Sequence, residues 1–221
     1  MTYNIAIDGP AGAGKSTIAR RVAKELSFVY VDTGAMYRAI GLFLIRNNTD
    51  IRDMEQVKKA LSKVSISIAY KDGEQQVMLN GENVSGLIRT EAVGNMASAA
   101  AAIPSVREKL LDLQRKLAQT NNVVMDGRDI GTNILPDAQL KIYLTASADT
   151  RAQRRYDELC KKGIACDFLE IKEDIIKRDD QDMHRAIAPL SQAEDAVYLD
   201  SSEMTIDEVT KKIKSFYKEQ A

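Results

Sequence analysis

A short segment near the N-terminus constrains the fold of this chain more than any other feature. It fits the phosphate-loop pattern, in which a glycine and four further residues precede Gly-Lys-Ser/Thr. Its members are Gly9, Pro10, Ala11, Gly12, Ala13, Gly14, Lys15, Ser16 and Thr17. Residues 3–8 before it have the pattern of a buried strand, and residues 16–26 after it have that of a helix, which is the context that the motif requires. The sequence therefore predicts a nucleoside triphosphate site in an α/β fold.

The residue types of the loop indicate how it would bind phosphate. Glycines let successive backbone amides point into one concavity, where a helix N-terminus adds partial positive charge. Lys15 would reach the outer phosphates, and the Ser16 hydroxyl would bind the Mg²⁺ that bridges them. A chance glycine-rich turn is the alternative, and the flanking strand and helix argue against it.

Length and composition limit the classes of protein that fit. With 221 residues the chain can form one sizeable core with small appended lobes. The net charge of −1 argues against a nucleic-acid partner, and we find neither a long apolar run nor a secretory leader. The only cysteines, Cys160 and Cys166, are spaced neither as a zinc pair nor as a redox pair. We therefore expect a cytoplasmic protein that binds no membrane, and we expect it to be a monomer.

A second polar loop follows the next apolar run, residues 28–31. Ligands of open parallel sheets bind beyond the carboxyl ends of strands, so Thr33 and Arg38 are candidates for a second ligand site. The alternative is that this segment supplies a helix cap and a surface arginine.

Residues 63–103 differ in pattern from the rest of the chain. Two segments between residues 65 and 79 alternate with a period of two, Asn80-Gly81 is a strong hairpin signal, and Val84 begins a third short strand. An alanine-rich helix with Gly94 inside it follows, and we expect this helix to pack closely or to move. Because the meander interrupts an alternation of strands and helices, we interpret it as a lobe inserted into the main fold.

Two helix starts carry the capping-box pattern, in which a Ser or Thr is followed three residues later by Glu. The first is residues 105–108, and the helix that it opens carries Leu110, Leu113 and Leu117 on one face. The second is residues 205–208, which open the terminal helix.

A buried strand at residues 123–125 ends in a charged segment. That segment is Asp126-Gly127-Arg128-Asp129-Ile130-Gly131-Thr132. A strand that ends in carboxylates, glycine and a guanidinium is unlike a packing element, so we place this segment at the sheet edge that holds the phosphate loop.

Further arginines lie in the C-terminal third. Arg154 and Arg155 follow the next strand, and they either close over phosphates or form a solvated basic face. The spacing of Arg178, Asp182 and Arg185 places a carboxylate between two guanidiniums if their helix extends that far.

These features favour one class of phosphate-loop protein. A GTP-binding switch needs an Asn-Lys-x-Asp segment and an Asp-x-x-Gly segment, and the sequence contains neither. A motor or transporter ATPase would need a longer chain and a partner surface. A small phosphotransferase needs a second anion site, arginines that neutralise two phosphorylated ligands, and lobes that exclude water. The sequence has candidates for all three.

Four motifs together resemble the long bacterial form of cytidylate kinase, a nucleoside monophosphate kinase. They are Gly9-Pro10-x-Gly-Ala-Gly-Lys, Asp32-Thr33-Gly34-Ala35-Met36-Tyr37-Arg38, Asp126-Gly127-Arg128-Asp129-Ile130-Gly131-Thr132, and Arg178-Asp179-Asp180-x-Asp182-x-x-Arg185-x-x-x-Pro189-Leu190. The resemblance implies transfer of the γ-phosphoryl group of ATP to CMP and dCMP with Mg²⁺. Another small-molecule kinase of the same fold, such as a UMP kinase, and a non-catalytic ATP-binding regulator are the alternatives.

The resemblance also implies a fold and its subdivisions. The fold is a three-layer phosphate-loop α/β fold, similar to adenylate kinase, with a five-stranded parallel sheet and a small antiparallel insert lobe. Residues 1–221 would form a single domain. Its parts would be a core at about 1–62 and 104–221, a monophosphate-binding insert at about 63–103, and a lid at about 151–167.

The resemblance assigns substrate-binding roles to individual residues. The cytosine and its surroundings are held by Thr33, Ser98, Arg107 and Asp129. The acceptor phosphate is clamped by Arg38 and Arg128, with a further phosphate contact from Arg178. The ribose is held by Asp182 and Arg185. An arginine and a carboxylate can satisfy the polar edge of a pyrimidine, and arginine forks suit phosphate oxygens.

On the donor side, the resemblance makes Lys15, Arg128 and Arg178 catalytic and adds Arg154 to the phosphate loop as an ATP-binding residue. We assign the metal to Ser16 rather than to Thr17. The acceptor is already an anionic phosphate, so no general base is needed, and the only histidine, His184, is expected to be incidental.

Overall fold

The computed structural model describes residues 2–220, which form eight strands and eight α-helices. The strands are β1 (Asn4–Asp8), β2 (Val29–Asp32), β3 (Ile66–Lys71), β4 (Glu74–Leu79), β5 (Glu82–Asn83), β6 (Val123–Gly127), β7 (Leu140–Thr145) and β8 (Val197–Asp200). The α-helices are α1 (Lys15–Leu26), α2 (Thr33–Arg46), α3 (Met54–Leu61), α4 (Glu91–Ala100), α5 (Pro104–Thr120), α6 (Ala148–Lys161), α7 (Phe168–His184) and α8 (Ile206–Gln220). One turn of π-helix occupies Ile130–Ile134. Within residues 2–220, no helix has the length and apolar character needed to cross a bilayer.

Five of the strands form a parallel sheet in the order β2-β6-β1-β7-β8. Strand β1 lies between β6 and β7, and Ile5 and Ile7 on it are fully buried. Such near-continuous apolar strands are typical of parallel sheets that are covered on both faces. A separate antiparallel sheet contains β3, β4 and β5. The predicted fold class is therefore confirmed.

The described residues divide into two compact units, and the first contains residues 3–29 and 122–220. In this unit α8 packs on α1, and Tyr217 of α8 contacts Tyr3 edge-to-face at 4.9 Å between ring centroids. The capping box predicted at residues 205–208 is present. Thr205 N–H donates to Glu208 Oε2 at 2.8 Å, and Glu208 N–H donates to Thr205 Oγ1 at 3.3 Å.

The second unit contains Thr2 and residues 30–121. Its helices α2 and α4 pack tightly, and Gly41 of α2 lies at their contact. A Cβ atom at Gly41 would lie 3.0 Å from the backbone nitrogen of Ala97 and 3.2 Å from the carbonyl oxygen of Val93. The alanine-rich helix α4 thus packs closely, which is one of the two predicted outcomes, but its own Gly94 is not at the contact. Among the described residues outside its own stretch of helix, no atom lies within 4 Å of a Cβ atom placed at Gly94.

Within the same unit, the insert lobe is attached to the end of β2. The side-chain amide of Gln75 accepts the Asp32 N–H at 2.8 Å and donates to the Asp32 carbonyl oxygen at 3.2 Å, as a neighbouring strand would. The Tyr70 hydroxyl donates to the Tyr30 carbonyl oxygen at 3.0 Å. Arg89 donates to the Asp32 carboxylate at 3.1 Å. The lobe therefore satisfies backbone groups of β2 that have no partner strand on that side.

The predicted start of the helix after the lobe is wrong. Helix α5 begins at Pro104, with Ile103 at the N-cap position and no side-chain cap, so residues 105–108 do not form a capping box. Proline favours this first helical position because its missing N–H would be unpaired there in any case. The buried face is formed by Val106, Leu110, Gln114 and Ala118. Leu113 and Leu117 are only half-buried.

One strand boundary differs from the prediction, and the structure defines a helix end that the sequence left open. The third strand of the meander is Glu82–Asn83, and Val84 follows it as a fully buried residue. Helix α7 ends at His184, so Arg185 lies just beyond the helix in extended backbone.

We predict that a larger side chain at Gly41 destabilises the fold. In Gly41→Val the added atoms overlap the backbone of α4, and overpacking of this kind costs about 1–3 kcal/mol of unfolding free energy. Gly94→Val is the matched control, since it makes the same exchange in a helix with open space around the site. Urea titration measures the unfolding free energy of both variants. Equal losses of stability would contradict the packing role of Gly41.

Candidate functional site

The phosphate loop lies between β1 and α1, in the first unit. Gly9 has a φ of +147°, and a Cβ atom there would lie 1.9 Å from the carbonyl oxygen of Leu144. Gly14, at the N-cap position of α1, has a left-handed φ of +85°. Glycine is needed at Gly9 because the loop backbone touches the end of β7, and this contact fixes where the loop begins.

Lys15 lies inside this loop and is 6% exposed. Its ammonium donates to the Pro10 carbonyl oxygen at 2.7 Å. Burial lowers the pKa of Lys15 well below its ordinary value, and the positive charge of Arg128 lowers it further, while Asp126 and other carboxylates oppose this. An anion at the loop would strengthen the charged form of Lys15, so the site favours a polyanionic ligand.

The Ser16 hydroxyl donates to the carboxylate of Asp126 at 2.8 Å. Asp126 is 4% exposed and pairs across the sheet with Ile7 on β1. Hydroxyl and carboxylate oxygens are ligands that Mg²⁺ uses together with phosphate oxygens and water. Residues 2–220 contain no cluster of three or more His, Cys, Asp or Glu that could hold a metal by themselves. The Ser16–Asp126 pair therefore fits a Mg²⁺ ion held jointly with a phosphorylated ligand.

Sequence reasoning did not assign Asp126 to the metal. Its signal was its place at the end of a strand, but the sequence did not reveal that this strand lies next to β1.

Asp8, the last residue of β1, is a second buried carboxylate that sequence reasoning missed. It accepts the backbone N–H groups of Ile130 at 2.8 Å and Gly131 at 2.7 Å. Burial raises its pKa to about 6 against the pull of these two hydrogen bonds, and the nearby charge of Asp129 adds to the rise. Lys15 opposes the rise. Asp8 therefore titrates far above an ordinary aspartate.

An ion-pair network links the segment after β6 with the end of α7. Arg128 donates to Asp182 at 2.7 Å, and Arg185 lies 3.9 Å from the other oxygen of Asp182. Arg185 also contacts Asp129 at 3.4 Å and donates through Nε to the Ala188 carbonyl oxygen at 2.7 Å. The predicted pairing of Asp182 with Arg185 is present, and Arg128 is a further partner of Asp182.

The network also changes the acidity of Asp182. Burial by itself raises the pKa of Asp182, but the charges and hydrogen bonds of Arg128, Arg185 and Arg178 outweigh burial and hold the pKa below its usual range. Half-buried on α7, Arg178 contributes to this network through its charge.

The predicted lid arginines have different environments. Arg154 donates to the Ser201 carbonyl oxygen at 2.8 Å, and Arg155 forms an exposed pair with Glu158. Arg151 is 5% exposed and donates to the phosphate loop at the Ala11 carbonyl oxygen, 2.9 Å away. It also pairs with Asp179 of α7 at 2.6 Å and donates to the Ala146 carbonyl oxygen at 2.9 Å. Arg151 thus braces the loop from the start of the segment that we predicted as a lid.

The remaining predicted substrate residues lie in the second unit. Thr33 is buried in the first turn of α2, which Asp32 caps by accepting the Ala35 N–H at 2.8 Å. Arg38, one turn further along α2, is half-buried, as is Ser98 on α4. These two helices are the ones that pack through Gly41. Arg107 of α5 is buried, and its guanidinium lies 5.8 Å from the centroid of the Tyr37 ring.

His184 is highly exposed, and its ring nitrogen lies 2.9 Å from the carboxylate of Asp180. This surface pair gives no indication of a catalytic role. Both cysteines are free thiols.

Comparison with known proteins decides the family. The family model for cytidylate kinase matches residues 5–219. The chain belongs to the cytidylate kinase family.

Two curated cytidylate kinases illustrate the similarity. The cytidylate kinase of Caldicellulosiruptor bescii is 49% identical over 216 residues, which are 97% of this chain and 96% of that protein. The cytidylate kinase of Streptococcus pneumoniae is also 49% identical, over 215 residues, with the same coverage of both chains. The predicted membership of this phosphotransferase family is confirmed.

A solved structure of an uncharacterised protein from Eubacterium ventriosum has the same fold. It covers 98% of this chain and 99% of its own with a TM-score of 0.55, at 14% sequence identity. Similarity at that level concerns the fold alone.

We predict that ionisation of Asp8 opposes folding between about pH 4 and pH 6. Its folded pKa of about 6 exceeds the ordinary value of 3.8, so the folded state binds more protons in this range. The unfolding free energy should therefore fall as pH rises, by on the order of 3 kcal/mol from this group. Urea titrations at several pH values should show this slope in the wild type and lose it in Asp8→Asn.

Asp182→Asn is the control for this measurement. The folded pKa of Asp182 is lowered, so its stabilising effect is lost only as pH falls below about 4. Its removal should leave the slope between pH 4 and pH 6 intact. An unchanged slope in Asp8→Asn would contradict the raised pKa.

Proposed function

We propose that this member of the cytidylate kinase family transfers the γ-phosphoryl group of ATP to CMP and dCMP, giving the diphosphates, in a Mg²⁺-dependent reaction. One observation carries the proposal at the level of the site. Buried Lys15 experiences the charges of Arg128, Asp126, Asp8 and Asp182 together. Charges for phosphate, metal and acceptor are thus gathered around the phosphate loop, as phosphoryl transfer requires.

ATP is proposed to bind at the phosphate loop, residues 9–17, where backbone amides face its phosphates. Lys15 would leave the Pro10 carbonyl oxygen and contact the outer phosphates. Mg²⁺, when bound, neutralises phosphate charge, and Ser16 and Asp126 are the residues that would hold it. We propose that Arg154 contributes to ATP binding from α6.

Roles in acceptor recognition are proposed for residues of each unit. In residues 30–121 the cytosine and its surroundings are assigned to Thr33, Ser98 and Arg107, and the acceptor phosphate is assigned to Arg38. In the other unit, Arg128 and Arg178 are assigned to phosphate, and both are proposed to be catalytic together with Lys15. Asp129 is assigned to the cytosine. The ribose is assigned to Asp182 and Arg185. The Arg128–Asp182–Arg185 contacts support this because they hold the guanidiniums in fixed directions before a ligand binds.

The proposed reaction needs alignment and charge neutralisation rather than proton abstraction. The attacking group is an oxygen of a monophosphate that is already anionic, so a general base has no proton to remove. Guanidiniums and Lys15 lower the repulsion between the two anionic ligands, and exclusion of water prevents hydrolysis of ATP.

We also propose that residues 1–221 act as a single kinase domain. Residues 63–103 would form the monophosphate-binding insert of this domain, and residues 151–167 its lid. We propose a cytoplasmic location, with which the two free thiols agree, and we propose that the protein is a monomer.

The proposal is tested by the choice of acceptor. In a coupled assay with CMP, dCMP, UMP and AMP at equal concentration, we expect kcat/KM for CMP and dCMP to exceed that for AMP by at least about a hundredfold, since a hydrogen-bonding site rejects a mismatched base. Preference for UMP would indicate a UMP kinase. ATP binding without turnover of any acceptor would indicate a regulator. Either result would contradict the proposal.

We predict that the metal requirement depends on Ser16. In Ser16→Ala, the Mg²⁺ concentration that gives half-maximal activity should rise by about tenfold or more, because a ligand oxygen is lost. Asp126→Asn should shift it in the same direction. Thr17→Ala is the matched control, because Thr17 is the neighbouring hydroxyl and is exposed. A larger shift in Thr17→Ala than in Ser16→Ala would assign the metal to Thr17.

A further inference from the structure

The function proposed above assigns no ligand contact to the Asp8 carboxylate, which is buried beside Lys15. Its two oxygens accept the N–H groups of Ile130 and Gly131 at 2.8 and 2.7 Å. These amides begin the turn of π-helix, and Asp129, which occupies the N-cap position of that turn, makes no side-chain cap. A strand 122 residues away in sequence therefore supplies the cap.

This arrangement determines what the Asp129 carboxylate can contact. An aspartate at an N-cap position ordinarily accepts N–H groups of the turn that follows it. Because Asp8 occupies those groups, the Asp129 carboxylate instead contacts Arg185 at 3.4 Å and accepts from the side-chain amide of Asn133 at 3.1 Å. Without Asp8, the same amides would compete for Asp129.

Gly131 leaves room for this contact. A Cβ atom at Gly131 would lie 3.4 Å from Asp8 Oδ2 and 3.1 Å from Cδ of Lys141. Lys141 cannot move away easily, because it is 8% exposed and its ammonium is paired with Asp195 at 2.8 Å. A Cβ atom at this position would therefore be tight against the Lys141 side chain and in ordinary van der Waals contact with Asp8.

We propose that Asp8 is a positioning residue for acceptor recognition. By holding the Ile130 and Gly131 amides, it keeps the Asp129 carboxylate directed toward Arg185, and this is the orientation in which Asp129 would meet a cytosine base. Asp8 itself contacts neither substrate. This inference rests on the proposed function, in which Asp129 recognises the acceptor base.

Steady-state kinetics of Asp8→Asn in the full chain test the inference. An asparagine can accept one of the two amides, but its NH₂ group would face the other. We expect KM for CMP to rise about tenfold or more and KM for ATP to stay within about twofold. Equal increases in both KM values would overturn the inference.

Asp195→Asn is the control for loss of stability alone. It removes the partner of buried Lys141 but leaves the two hydrogen bonds of Asp8 in place, so KM for CMP should stay within about twofold of the wild type. An increase as large as that in Asp8→Asn would show that general loosening is responsible, and it would overturn the positioning role.

A double-mutant cycle tests whether Asp8 acts through Asp129. In an Asp129→Asn background, Asp8→Asn should change KM for CMP by less than about twofold, because the group that it positions is already lost. Fully additive effects of the two substitutions would overturn the inference.

A failure of the proposed function is distinguishable from a failure of this inference. If the proposed function is wrong, the wild-type protein will not phosphorylate CMP. The orientation of the Asp129 carboxylate can still be followed by NMR, through the chemical shift of its carboxyl carbon. We expect this chemical shift to change in Asp8→Asn, because the carboxylate then turns toward the Ile130 and Gly131 amides. An unchanged shift would overturn the inference whatever the acceptor is.

Discussion

The parallel pairing of β1 with β6 on one side and β7 on the other is the constraint on which the site depends. Parallel strands end at the same edge of a sheet, and ligands of such sheets bind beyond that edge. Here Ile7 pairs with Asp126, and Asp8 pairs with Gly127. Three features therefore lie at the same edge of the sheet, within one residue of each other along the paired strands. They are the start of the phosphate loop, the candidate metal carboxylate and the start of the arginine-containing segment after β6. No single helix or loop could bring these groups together.

Burial of charge is what makes this edge suitable for phosphate chemistry. Lys15, Asp126 and Asp182 are each less than a tenth exposed, so their interactions are stronger than those of surface groups. Buried ion pairs cost desolvation free energy, and their net effect on stability is often small. What they supply is fixed direction, since Asp182 holds Arg128 at 2.7 Å and Arg151 holds the loop at Ala11. A phosphorylated ligand would therefore meet donors that are already oriented.

The second unit has its own means of fixing side chains. Helix α2 begins at Thr33 and is capped by Asp32, which is also the residue that Gln75 and Arg89 contact from the insert lobe. One aspartate thus connects the start of α2 with the lobe. Close packing of α2 on α4 through Gly41 then sets the distance between the helices that carry Arg38 and Ser98. The candidate acceptor residues of this unit are held by packing and capping rather than by ion pairs alone.

Local patterns explain why much of the fold could be predicted. The glycines and lysine of the phosphate loop, the Asn80-Gly81 hairpin and the capping box at residues 205–208 each depend on neighbours within a few residues, where sequence spacing fixes geometry. The same reasoning failed at residues 105–108, because Pro104 occupied the first helical position in place of a serine cap. The close packing of the alanine-rich helix was anticipated, but its sequence did not reveal that Gly41 of the partner helix makes the contact possible.

The sequence by itself determined the type of fold, the phosphate loop and the set of charged residues that lie at strand and helix ends. Only the tertiary structure decided which of these charges meet. Ser16 is hydrogen-bonded to Asp126, 110 residues away in sequence, and Asp8 is hydrogen-bonded to Ile130, 122 residues away. Such contacts depend on strand order and register, which no periodicity along the chain encodes. For the same reason the sequence shows Asp8 only as the last residue of a strand, and only the structure shows that it caps a distant turn.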